Sequence, residues 1–247
     1  MSIQMKVASV SFLLLSAAIA MPLRAQHAHS HGADSSHIIG AADAAMRGPM
    51  SEIAMKHLEL SPTRAATHED TVRAFEIVRQ LRLALAKYAD TAAATADGYK
   101  MFAPQLEQQR VYHFTNYKNA FLEAFRFDPE KPTSILYVRA PDGGLKLIGA
   151  MYTAPKRMRV GRLDGRVPLS IARWHRHVDW CLPPRSEKDR WVERRNGMPV
   201  FGPESPIATK AECGDVGGNF YPSLFGWMIH ANVFAGDDLG AIFSHEH

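Results

Sequence analysis

Apolar positions along this chain recur with two periods, and the change from one to the other divides it. Over residues 67–97, Ala74, Ile77, Val78, Leu81, Ala84, Leu85 and Tyr88 fall at helical spacing. Thr67 with Asp70 reads as a capping box in which Asp replaces Glu, and Gly98 can end the helix. From residue 110 the period is two. In RVYHFTNY, Tyr112 and Phe114 share one face of a strand, and Val111, His113 and Thr115 share the other. A short amphipathic helix follows over 118–127, stopped by Asp128-Pro129 and Pro132. Across 133–153, SILYVRA and LKLIGAMYT flank a Pro-Asp-Gly-Gly turn, which predicts an antiparallel hairpin.

The next apolar stretch, RVPLSIARWHRHVDWCLPP at 166–184, holds a close-set histidine pair. As a strand after Pro168 it turns His175, His177, Asp179 and Cys181 one way and Trp174, Arg176, Val178 and Trp180 the other. A charged helix is expected over 186–195, a Gly/Pro loop over 196–206 and a helix carrying Cys213 over 208–217. The last strand, FGWMIHANVF at 225–234, aligns Met228, His230, Asn232 and Phe234. Together these elements predict one α+β domain over 67–240, a long N-terminal helix packed on a mainly antiparallel sheet or small open β-barrel.

Outside that domain the patterning fails. Residues 1–25 read as a signal peptide: Lys6, an apolar run over 7–20 shorter than the roughly 20 residues that span a bilayer, then small residues. Residues 26–66 form a His-rich flexible arm beginning QHAHSHGADSSH, with one short helix near 52–58, and 241–247 are a tail ending His245-Glu246-His247. These readings place the protein in the periplasm or outside the cell, with no membrane span in the mature chain.

Charge and cysteine content narrow the chemistry. The whole chain is +4, but losing Lys6 and Arg24 with the signal leaves it near +2, so a nucleic-acid partner is not expected. Cys181 and Cys213 are the two cysteines, and in an exported chain the pair reads as a disulfide. Phosphate loops, nucleophile elbows and H-E-x-x-H helices are absent.

The histidines are the remaining signal. His113, His175, His177 and His230 all fall within predicted strands, whereas His27, His29, His31, His37 and His57 lie in the arm. Imidazoles from neighbouring strands can converge on a transition metal, copper, zinc or iron. Asp179 and Asn232 are placed to orient the ring N–H groups or add an oxygen ligand. With both thiols in a disulfide, any soft ligand for copper(I) has to be histidine or methionine. With an open coordination position such an ion activates water or dioxygen; a closed set stores or stabilises. The alternative is a binding module in which the tryptophans and the basic loop 156–166 hold a small acidic or aromatic ligand and the histidines are structural.

The motifs HFTNY, ARWHRHVDWC and FGWMIH, with the hairpin sequence, resemble a group of exported bacterial proteins without an assigned activity. The resemblance spans roughly 67–240 and implies export and a single domain. The His-x-His also resembles the first motif of cupin barrels, whose framing glycine and glutamate are missing here.

Overall fold

The structure, a computed structural model, describes residues 52–102, 104 and 109–244. The expected signal peptide, the arm as far as residue 51 with His27, His29, His31 and His37, and the terminal His245 and His247 lie outside the described residues.

In chain order the elements are α1 (Glu52–Lys56), β1 (Leu58–Leu60), α2 (His68–Leu85), a 3-10 turn (Ala86–Ala89), α3 (Thr91–Ala96), β2 (Lys100–Met101), β3 (Tyr112–Thr115), α4 (Tyr117–Glu123), β4 (Ser134–Arg139) and β5 (Leu145–Ala154). The second half carries α5 (Val160–Asp164), β6 (His175–His177), β7 (Trp180–Leu182), a 3-10 turn (Lys188–Val192), β8 (Arg194–Arg195), β9 (Met198–Pro199), α6 (Lys210–Asp215), β10 (Asn219–Tyr221), β11 (Trp227–Ala231) and α7 (Leu239–Ile242). Seven strands make one antiparallel sheet in the order β1-β6-β11-β5-β4-β3-β2, and β7 with β10 and β8 with β9 make two small ribbons.

The fold is therefore mainly β, which corrects the expectation of an α+β domain organised on a long N-terminal helix. The helical pattern over 67–97 is real, but the chain breaks it. The Thr67–Asp70 capping box starts α2, which ends after 18 residues. At Tyr88 the backbone leaves helical geometry (φ −98°, ψ 20°), and its carbonyl accepts the buried Tyr137 hydroxyl instead of an amide of the next turn. Asp90 then caps α3 through the Ala92 amide. The barrel alternative fails as well: the sheet is open, with β1 and β2 at its edges.

A second correction concerns the arm. Its last part, from Glu52, is built into the fold. The short helix forms as α1, and β1 pairs with β6, Leu58 opposite His177 and Leu60 opposite His175. Ser61 fixes this edge: its hydroxyl accepts the Trp174 amide and its own amide donates to the Trp174 carbonyl.

One face of the sheet is the core. Ala74, Ile77, Val78, Leu81 and Leu85 of α2 pack on Tyr112, Phe114, Ile135, Tyr137, Ala150, Tyr152, Trp227, Ile229 and Ala231. Burying each aliphatic chain such as Leu81 or Ile135 contributes about 1.5–3 kcal/mol. The alternate residues, His113, Leu136, Gly149, Met151, Met228 and His230, face the other way.

That second face is concave. Strands β3 and β11 are separated by β4 and β5, so on a flat sheet their side chains would stand roughly 14 Å apart. Yet the ring centres of His113 and His230 are 5.7 Å apart. Two features curl the sheet: a register shift in the β4/β5 pairing between Leu136 and Tyr137, and Gly149 just beyond it on β5. A Cβ at Gly149 would fall on the carbonyl oxygen of Ala231 in β11, so only glycine permits this approach.

Gly149→Ala is expected to lower unfolding stability by about 3 kcal/mol in urea titrations, because backbone cannot yield as a side chain can. Gly161→Ala, whose methyl meets nothing within 4 Å, should leave stability unchanged or slightly raised. Equal midpoints for the two variants would contradict this account of the curl.

Candidate metal site

Four histidine rings form a chain across the concave face. His113 comes from β3, His230 from β11, and His175 and His177 from β6. Their centres are 5.7 Å apart for His113–His230, 5.2 Å for His230–His175 and 5.9 Å for His175–His177. The sequence brings them together because each strand spends its other residues on the core: Tyr112 and Phe114 flank His113, Ile229 and Ala231 flank His230, and Trp174 precedes His175.

Two rings sharing one ion at about 2.0–2.1 Å from each nitrogen have centres roughly 5–6 Å apart, so each neighbouring pair suits a shared ion. Among the described residues no group of three or more histidine, cysteine, aspartate or glutamate side chains already stands as a metal cage. The neighbouring histidine pairs are what the fold supplies.

Protonation favours ligation. Burial pushes His113 down to about 4; the Arg110 charge adds to the shift and the Val111 carbonyl opposes it. His177 is likewise pushed down to about 4 by burial, helped by His57. Both are neutral at pH 7, with a lone pair to offer. For His113 the tautomer follows from its partner: Nδ1 lies 3.2 Å from the Val111 carbonyl, which can only accept, so Nδ1 carries the proton and Nε2 the lone pair. His175 is buried at 6% exposure, and His177 is packed edge-on by Trp180 and Phe225 at 5.1 and 5.8 Å.

The strand carrying the pair is shorter than the alternation suggests. It ends at His177, and Asp179 has a left-handed φ of 55°, which turns the chain into β7 and its ribbon with β10. Asp179 and Cys181 therefore do not continue the His175/His177 face, a correction to their predicted alignment. Cys181 instead forms the disulfide with Cys213 on α6, closing a span of 32 residues, worth about 3–4 kcal/mol in the chain-entropy account. Asn232 lies one step past β11, where its backbone N–H donates to the Ile242 carbonyl.

His57, expected in the flexible arm, sits next to the cluster and acts on His177. Its Nε2 lies 2.8 Å from the Ser205 carbonyl and its Nδ1 3.3 Å from the Val178 carbonyl. An imidazole with both nitrogens turned to carbonyls positions β1 and β6 and is not a ligand. The apolar-polar alternation Leu58-Glu59-Leu60 after it was the available signal.

The features of the alternative binding module are mostly used internally. Trp174 and Trp180 are fully buried in two different apolar clusters, and Trp227 lies under the Arg176 guanidinium. In the basic loop, Lys156 donates to the Ser223 carbonyl and Arg166 to the carbonyls of Thr153 and Glu123.

No family model, curated protein or solved structure matches the chain, so the arrangement of its own residues carries the functional reading.

A pH consequence follows from the two depressed histidines. In metal-free protein the unfolded chain takes up protons first, near the ordinary value of about 6.5, so stability is full above that and falls as pH drops toward 4. Urea unfolding across this range should show a steeper acid loss for wild type than for His113→Gln/His177→Gln. Identical slopes would mean these rings are not held neutral.

Proposed function

We propose that this is an exported, periplasmic or secreted, protein that binds a transition metal ion through His113, His175, His177 and His230. The observation that carries the reading is the run of four rings at 5.2–5.9 Å between centres, drawn from three strands of a curled sheet. Three further features support it. The rings of His113 and His177 are neutral at physiological pH. The disulfide suits an oxidising compartment, and among the described residues no helix is long and apolar enough to cross a membrane. Each ligand lies on a strand whose register is fixed by the core, which holds a site more rigidly than a loop does. Copper, zinc and iron all accept such imidazoles.

The test removes the pair on β6. His175→Ala/His177→Ala should lower metal affinity at least about 100-fold in a competition titration while unfolding remains cooperative. Unchanged affinity and stoichiometry in a folded double variant would refute the proposal.

A further inference from the structure

We propose that the site selects copper(I), with Met151 and Met228 as thioether ligands beside the histidines; this rests on the histidine reading above. The register carries it. On the two sides of β11, Met228 stands directly opposite His175 of β6, and His230 directly opposite Met151 of β5. Direct partners in an antiparallel pair share a face, with Cβ atoms about 4.5–5.5 Å apart. Met151 belongs to the concave face because its neighbours Ala150 and Tyr152 are in the core; Met228 belongs there because Trp227 and Ile229 are. Each methionine is thus the cross-strand partner of one member of the central His230–His175 pair, whose rings are the closest of the chain at 5.2 Å.

The chemistry of the donor set then favours one ion. Thioether sulfur is soft and neutral and suits copper(I), while zinc(II) and iron prefer harder or anionic donors. Thiolates are excluded, since Cys181 and Cys213 are joined. For His113 and His177 the charged or titratable neighbours that act on the ring are basic, Arg110 on His113 and His57 on His177. A donor set of imidazoles and thioethers leaves the full charge of the ion uncompensated. The cost of burying it grows steeply with charge, so a monovalent ion is admitted at far lower cost than a divalent one.

The test uses the full chain under anaerobic conditions. Copper(I) and zinc(II) affinities are measured by chelator competition for wild type and for Met151→Leu/Met228→Leu, a swap that conserves volume and apolar character. Copper(I) affinity should fall at least about tenfold, the lower end of what losing even a supporting partner costs a metal site, while zinc(II) affinity changes less than about twofold. X-ray absorption of the copper(I)-loaded wild type should contain a sulfur neighbour, a readout that needs no variant. Copper(I) bound with the same affinity by both proteins and with nitrogen neighbours alone would overturn the thioether assignment and leave the histidine site standing. Binding of neither ion by wild type would remove the histidine site itself, and this inference with it.

Discussion

The placement of β11 is the constraint on which the structure depends. This strand, near the end of the chain, enters the middle of the sheet and pairs antiparallel with β5 on one side and β6 on the other. Its alternate residues serve two purposes: Trp227, Ile229 and Ala231 complete the core, and Met228 and His230 look into the concave face. A slip of one residue would exchange the two sets, burying an imidazole among aliphatic chains and exposing Ile229. The core therefore fixes the site's register, and His230 needs no local hydrogen-bonded loop to hold it between His113 and His175.

Curvature converts this register into proximity. The bulge at Leu136/Tyr137 and the side-chain-free approach at Gly149 bring together strands that lie three positions apart, so that rings which never pair in the sheet meet across its hollow. The β7/β10 ribbon closes the other end. Asp179 turns the chain, Trp180 and Phe225 pack on His177, and the Cys181–Cys213 bond ties this ribbon to α6. Enclosure in turn keeps His113 and His177 neutral, which is the protonation state a metal requires.

Short-range patterns were legible in the chain, and long-range ones were not. The capping box at Thr67, the 133–153 hairpin, the strand placement of all four histidines and the cysteine pair follow from local spacing and composition. The fold class did not follow, because the helical period of 67–97 continues through a break imposed from outside: Tyr137, 49 residues away, takes the Tyr88 carbonyl. Nor did the arm's edge strand, since β1 has three residues and is a strand only because β6 lies beside it. Asp179 shows the same limit in reverse. The alternation through it is intact in sequence, but a left-handed backbone ends the face two residues after His177. Strand order placed Met151 beside His230, and no spacing within the hairpin reveals that.

The most direct measurement is the metal content of full-length, untagged protein in which His27, His29, His31, His37, His245 and His247 are replaced by alanine, so that only histidines within the described residues can ligate. After exhaustive dialysis, mass-spectrometric analysis should find one equivalent of a transition metal per chain. A cooperatively folded protein that retains none would contradict the histidine site.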